Sequence, residues 1–317
     1  MPNVIPMQII ALTDTFEEAA YLASNPDVAA AVGSGAFKSG KEHFDLYGRN
    51  ESRPIREDAR RLIGPRKQKL DKIRHLLRND MPVIQMDDAK LDYLSDELRE
   101  ATKIVDTNNV SSNGYDAQTL SLIEKHKDGV ILDCGCGRRQ DYYQNVVNFE
   151  IVDYDTTDVL GVGESLPFKD NSFDAVFSIA VLEHVRDPFT CAKEISRVLK
   201  PGGDLYCSIP FLQPYHGYPH HYFNATHQGI QRLFEDELRI EKLDVPTVGH
   251  PAFTLHWFLS SWRRGIAPDA AALFDRMTVS EIIALGPHAL ASSGVSKLRD
   301  DGMKELACSF TIEAVKP

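Results

Sequence analysis

The chain has 317 residues, 43% of them apolar, 26% charged and 9% aromatic, an ordinary globular composition that excludes the collagen-like, disordered and disulfide-scaffold classes. Thirty-five Lys and Arg stand against 46 Asp and Glu, a net charge of −11, which repels phosphate backbones and argues against a nucleic-acid partner. No apolar run approaches the roughly 18–20 residues of a membrane span, and the opening MPNVIPMQIIAL lacks the basic residues of a signal peptide, so the expected setting is cytoplasmic, with the five cysteines reduced.

At roughly 100–200 residues per domain, this length calls for one large domain with an appendage. Residues 1–55 read as a small N-terminal helical module. Phe16 to Ala23 is apolar-periodic, Asn25-Pro26-Asp27 punctuates, Val28 to Val32 follows, and Gly33-Ser34-Gly35 breaks the pattern. Ser39 with Glu42 three residues on suggests a capping box for a third helix, and Gly48 sits where a left-handed C-terminal cap is expected. Tyr21, Leu22, Val28, Phe37, Phe44 and Tyr47 are its candidate core. A module this small needs to dock on something, so protein contacts or oligomerisation are its expected role. The stretch YLASNPDVAAAV with EHFDLYGRNESR resembles a short helical module of bacterial multidomain proteins, some of them connected with surface glycans.

Residues 56–110 form a helical, basic connector. Arg49 to Asp80 carries eleven Lys and Arg against five Asp and Glu, so the remainder of the chain stands at −17. Leu70, Ile73 and Leu77 recur at helical spacing, and the charges around them are read as the wet face of a packed helix rather than a phosphate site. Asp116 is a plausible N-cap for a helix from Ala117 to His126.

From residue 111 onward the pattern is strand, helix, strand. Gly129 to Cys134, Val146 to Ile151, Asp158 to Gly161, Phe173 to Ile179 and Gly203 to Ile209 are short apolar runs that read as buried parallel strands. Asp187-Pro188 opens a helix reaching about Leu199. The fold class is therefore α/β, a doubly wound Rossmann-like sheet over residues 111–317. The aromatic stretch HPAFTLHWFLSSWRRG lies in a helical insertion at about 251–300, expected to roof an acceptor pocket.

Val130-Ile131-Leu132-Asp133 runs into Cys134-Gly135-Cys136-Gly137, a glycine turn at the carboxyl end of the first strand, where open α/β sheets bind ligands. Glycines there let the backbone approach a ligand, and Asp133 is placed to receive a cationic amine or to order the turn. Glu150 ends the next strand, where a carboxylate accepts both hydroxyls of a ribose. A nucleoside ligand follows. The dinucleotide fingerprint asks for glycine at position 140, which is Gln140, and this counts against a nicotinamide-dependent oxidoreductase.

The runs GVGESLPFKDNSFDAVFSIAVLEHVRDP and EISRVLKPGG resemble the class I S-adenosylmethionine-dependent methyltransferases, type-11 branch, over about residues 129–236. The resemblance implies a seven-stranded sheet whose last strand is antiparallel, for which Glu305 to Val315 is a candidate, and S-adenosylmethionine as cofactor. It implies that Asp133, Gly135, Cys136 and Gly137 cradle the amino-acid end of the cofactor and that Glu150 holds its ribose. Gly163, Glu164, Ser165 and Leu166 then border the adenine, and Ser178 with VLEHV closes the methionine side. Tyr115, in NNVSSNGYD, is placed to stack on the ligand as part of a lid. The third turn glycine of the family is Arg139 here, and the acidic residue before the adenine segment is Val162, with Glu164 as a replacement.

Methyl transfer from a sulfonium requires mainly that the acceptor be held near the methyl carbon, and a hydroxyl acceptor must also lose its proton, most readily to histidine. The candidates are His184, in Glu183-His184, and His216, His220 and His221 in PYHGYPHHYFNATH. The latter stretch resembles a substrate-side PHDY segment of related methyltransferases, with His221 in place of the acid and Asn224 in place of the arginine. No metal is expected, because the histidine spacing is that of a broken loop and the nearest carboxylates considered are Glu235 and Asp236. The expectation is thus an S-adenosylmethionine-dependent methyltransferase acting on a hydroxyl of a small molecule or glycan, with a cofactor-dead or regulatory binding protein as the alternative.

Overall fold

Residues 3–103, 114–217 and 220–315 are described by the structure, a computed structural model. They fall into two units, one of residues 1–182 and 187–208, the other of residues 183–186 and 209–317.

The first unit opens with β1 (Val4–Pro6) and β2 (Gln8–Ile10), followed by α1 (Glu18–Ser24), α2 (Pro26–Gly33), the single turn α3 (Gly40–His43) and β3 (Pro54–Arg56), which pairs antiparallel with β2. Tyr21, Val28, Phe44 and Ile55 form a small buried core with Ala11, whereas Tyr47, assigned to that core from the sequence, is exposed. Ser39 Oγ accepts from Glu42 N at 3.1 Å as an N-cap should. The Glu42 carboxylate, however, takes Lys38 N, so the reciprocal half of the box is not made. Gly48 lies outside the positive-φ glycines. It is glycine for another reason: a Cβ there would stand 2.2 Å from Tyr21 Oη.

After α4 (Ile63–Ile73) come β4 (Ile84–Gln85), β5 (Leu91–Asp92), α5 (Asp96–Thr102), α6 (Ala117–Lys125), β6 (Ile131–Cys134), β7 (Asp141–Tyr143), β8 (Val146–Glu150), β9 (Val159–Leu160), β10 (Phe173–Ile179), α7 (Pro188–Val198) and β11 (Leu199–Ser208). The main sheet has seven strands in the order β11-β10-β6-β8-β9-β5-β4. All neighbours are parallel except β4 and β5. Cys134 faces Phe149 and Ser178 faces Cys207 across the ladder, so Asp133, Glu150 and Ser178 lie toward the carboxyl ends of their strands. The five parallel runs read from the sequence are recovered within a few residues at most ends. The antiparallel strand is β4, at the edge farthest from β11, and residues 306–315 take no strand; their Phe310, Ile312 and Val315 stand largely exposed, so no apolar face holds them in a ladder.

Helix α7 follows its sequence signals. Asp187 Oδ1 accepts from Thr190 N at 3.0 Å, Pro188 fills the first turn, and Cys191, Ala192, Ile195 and Val198 form a buried stripe. Asp116 caps α6 through Thr119 N at 2.8 Å, and Leu122 and Ile123 pack on Ile131, Val146 and Phe177, each side chain contributing roughly 1.5–3 kcal/mol by burial. On α4, Leu70 and Ile73 are buried as the spacing predicts, but Arg66 and Lys69 are buried with them, 1% and 2% exposed. Lys69 Nζ lies 2.7 Å from Asp158 Oδ2 and donates to Val146 O, while Tyr142 Oη donates to Asp158 Oδ1 at 2.6 Å. The wet-face reading of this segment therefore fails at these two positions, because a buried carboxylate is there to compensate the cations. The N-terminal module docks within this unit: β1 pairs with β7, and the Arg56 guanidinium holds Asp155 at 2.6 and 2.9 Å.

The second unit contains α8 (His227–Phe234), α9 (Pro251–Gly265), α10 (Pro268–Phe274), α11 (Val279–Ala291) and α12 (Asp300–Glu305). Residues 251–300 are thus largely helical. A full capping box, Thr278 with Glu281, starts α11, and Gly286 (φ +66°) before Pro287 kinks it. Trp262 Nε1 donates to Val295 O at 2.8 Å. Among the described residues no helix is long and apolar enough to cross a membrane.

Candidate functional site

In the first unit, β6 delivers the chain into the turn Gly135-Cys136-Gly137, with Gly135 at φ +83° and Gly137 at φ +62°, conformations that glycine adopts at little cost. Gly135 N and Cys136 N both donate to Phe149 O, at 2.9 and 3.1 Å, locking the turn onto the end of β8. A Cβ on Gly135 would lie 2.4 Å from Val181 Cγ2, so the side chain that approaches this glycine is the protein's own.

Glu150 ends β8 beside that turn. Its Oε2 accepts from Gly137 N at 2.7 Å and its Oε1 from Ile151 N at 2.8 Å. Burial pushes its carboxyl above the usual range, opposed by those backbone N–H groups. Burial, reinforced by the Glu150 and Asp133 charges, likewise raises the Cys136 thiol; Cys134, Cys136 and Cys191 are buried thiols.

Asp133 is engaged by Arg139, whose Nε lies 2.8 Å from Oδ2 and whose Nη2 lies 3.0 Å from Oδ1. Tyr115 Oη also donates to Oδ2 at 2.5 Å, and the Arg139 guanidinium sits 4.2 Å from the centre of the Tyr115 ring. The cation on Asp133 is therefore a side chain of this protein, standing where the family has its third glycine. Burial and then the Asp133 charge drive the Tyr115 hydroxyl far above its ordinary range. Of the segment NNVSSNGYD, residues 108–113 lie outside the described residues.

In the same unit, Gly163 packs against Cys191, where a Cβ would stand 2.6 Å from Sγ. Glu164 Oε1 accepts from Asp187 N at 3.5 Å, Ser165 N donates to Val162 O, and Leu166 N donates to Glu194 Oε2 at 2.8 Å. Ser178 is fully buried at the end of β10, and its Oγ has no hydrogen-bond partner. Tyr115, Asp133 and Arg139 form one hydrogen-bonded cluster and Cys136, Gly137 and Glu150 another, on the two sides of the same turn.

The histidines gather in the second unit. His184 Nδ1 lies 2.6 Å from His220 O and His216 Nδ1 lies 2.8 Å from Pro214 O. His216 N donates to His221 Nδ1, and His221 Nε2 lies 2.8 Å from Asn224 Oδ1. The rings of His216 and His221 are 4.2 Å apart, and that of His184 is 5.3 Å from His216. Burial lowers both His184 and His216, with further lowering from neighbouring imidazoles. Glu183, fully buried, has no hydrogen-bond partner at either oxygen, and burial pushes it up to about 8.

Two residues in these clusters escaped the sequence reading of roles. Arg139 was visible as a departure from the glycine pattern, and its ion pair with Asp133 was not. Glu183 was visible as the neighbour of His184; its burial without a partner has no sequence signature.

Residues 132–207 match a methyltransferase domain family, type 11. Cycloartenol-C-24-methyltransferase 1 of Oryza sativa subsp. japonica is 44% identical over 70 residues, 22% of this chain and 19% of that protein. Demethylmenaquinone methyltransferase of Corynebacterium glutamicum is 49% identical over 53 residues, 17% of this chain and 23% of that protein. The chain thus spans less than a quarter of the length of either relative. The solved structure of Haemonchus contortus phosphoethanolamine N-methyltransferase 2 in complex with S-adenosyl-L-methionine is 18% identical, covers 60% of this chain and 51% of that one, and superposes with a TM-score of 0.34. The matched stretch, residues 132–207, holds the glycine turn and the strands β6 and β8 to β11 described above, and its likeness is to a methyltransferase domain.

Proposed function

We propose that this chain is an enzyme that moves the methyl group of S-adenosylmethionine to a hydroxyl of a small molecule or glycan. The observation that carries the cofactor half is Glu150. Its Oε2 takes Gly137 N–H, and its Oε1 takes Ile151 N–H with Val152 N–H as a long contact at 3.4 Å, so Oε2 keeps a free lone pair and the second site on Oε1 is only weakly held. A carboxylate fixed in this way suits the paired hydroxyls of a ribose. The buried Ser178 Oγ, without a partner, adds a polar group for a ligand at the neighbouring strand end, and Gly163 to Leu166 are assigned to the adenine border.

The residues therefore fit the nucleoside end of the cofactor. At the amino-acid end we assign Gly135, Cys136 and Gly137 through their backbone, while Asp133 serves to hold Arg139 and Tyr115. When bound, the cofactor supplies an electrophilic methyl carbon on a sulfonium. What the chain must add is acceptor position and, for a hydroxyl, a place for its proton. A carbonyl oxygen only accepts, so His184 and His216 carry their proton on Nδ1 and keep the Nε2 lone pair. These two nitrogens are our candidates for the proton acceptor, with His220 and His221 shaping the loop around them.

Calorimetry with S-adenosylhomocysteine tests the cofactor half; folded protein that does not bind at millimolar concentration is a cofactor-dead binding protein. Tritiated methyl transfer to a panel of sugars and small alcohols, with amines alongside, tests the acceptor. Label on amines alone would refute the hydroxyl.

A further inference from the structure

Glu183 is a carboxyl group 0% exposed with no hydrogen bond at either oxygen; a buried polar group without a partner is costly, and as an anion it calls for a compensating cation. Beside it, His184 Nε2 lies 3.7 Å from Oε1. His216 completes the group: one ligand atom from each of the three lies within 4.8 Å of the other two. Both imidazoles give Nδ1–H to main-chain carbonyls, those of His220 and Pro214, which is how metal-ligating histidines are commonly oriented with Nε2 left to bind. His216 is steadied further by its own N–H on His221 Nδ1.

We propose that Glu183, His184 and His216 bind one divalent first-row transition cation, of the zinc or ferrous type, leaving coordination positions for water or another oxygen ligand. Two imidazoles with one carboxylate suit these ions and not calcium or magnesium, which prefer all-oxygen shells. Bonds of about 2.0–2.2 Å require donor atoms roughly 3.0–3.5 Å apart, so side-chain shifts of about 1 Å close the site. The broken-loop spacing of the histidines and the distance of Glu235 and Asp236 argue against a metal from the sequence; the acid of this cluster is instead Glu183, next to His184. This inference rests on the geometry of the cluster alone; a cation on both Nε2 atoms uses the lone pairs assigned above to the acceptor's proton, so the two roles are alternatives and the cobalt titration separates them.

The test uses the full chain, freed of any tag and stripped with a chelator, titrated with cobalt(II) chloride. One equivalent should bind with visible d–d bands and without a thiolate charge-transfer band, and zinc chloride should displace it. Glu183→Gln and His216→Ala should each weaken cobalt binding at least about tenfold, while Cys308→Ser, at an exposed thiol, should leave it unchanged. A parent that does not bind cobalt below millimolar concentration, variants that bind as the parent does, or magnesium bound as tightly as zinc would each overturn the proposal. Should a variant fail to fold by circular dichroism, X-ray absorption on the zinc-loaded parent decides: a shell of two imidazoles and oxygen supports the site and a sulfur shell refutes it. Calorimetry with S-adenosylhomocysteine on the same metal-free protein reports on the methyltransferase reading separately.

Discussion

Replacing Glu150 by alanine removes the carboxylate assigned to the ribose and, with it, the acceptors of Gly137 N at 2.7 Å and Ile151 N at 2.8 Å. Charge-assisted hydrogen bonds are worth about 1.5–3 kcal/mol. At about 1.4 kcal/mol per tenfold, S-adenosylhomocysteine should bind roughly 10- to 150-fold more weakly. The same substitution orphans backbone donors, at about 1–3 kcal/mol for a buried one, so the melting temperature should fall as well. The two losses are separable, because calorimetry well below the melting transition reports affinity of the folded protein alone. Glu150→Gln gives an internal check: its amide oxygen keeps the N–H donors of one side while its NH2 opposes those of the other, so both affinity and stability should fall between parent and alanine variant. Folded Glu150→Ala that binds S-adenosylhomocysteine as the parent does would refute the assignment and move the ribose away from the end of β8.

Gly135→Ala should destabilise the first unit by about 2–4 kcal/mol, from overpacking against Val181 at 2.4 Å and from a side chain at φ +83°; an unchanged urea midpoint would refute this. Arg139→Met leaves Asp133 buried with Tyr115 alone and should cost about 3–5 kcal/mol, read by the same denaturation. Lys69→Met should cost about 3 kcal/mol, the low end for a broken buried pair, because Arg66 Nε remains 3.4 Å from Asp158. Burial sets the Lys69 amine at about 8 against 10.5, so between those values the unfolded chain binds more protons and the native state gains stability as pH rises; the difference between parent and Lys69→Met should shift toward the parent from pH 8 to 10.5, and a flat difference would refute the shift.

What was legible in the sequence is what its neighbours within four residues decide. Asp187 before Pro188 and Asp116 before Ala117 cap helices as read, and the apolar runs ending at Cys134 and Glu150 are strands. Two-residue strands such as Ile84–Gln85 and Leu91–Asp92 have no periodicity to detect, so a segment read as connector extends the sheet. Gly48 was misassigned because what requires glycine there is Tyr21, 27 residues earlier.

The charge asymmetry of the chain has the same explanation. An excess of cations in residues 49–80 within an acidic chain reads, locally, as a solvated face. In the fold three of its eleven cations are complementary to acids far along the sequence: Arg56 holds Asp155 at 2.6 Å, where Arg138 of the glycine-turn region also binds, and Lys69 with Arg66 flanks Asp158. Asp158 is 89 residues from Lys69, and no local rule connects them. Such pairs add little net stability over an apolar equivalent, yet leaving either partner alone is expensive. In the observed register none of these charges is left alone, and the same pairs tie the connector helix and the N-terminal module to the sheet that carries Glu150.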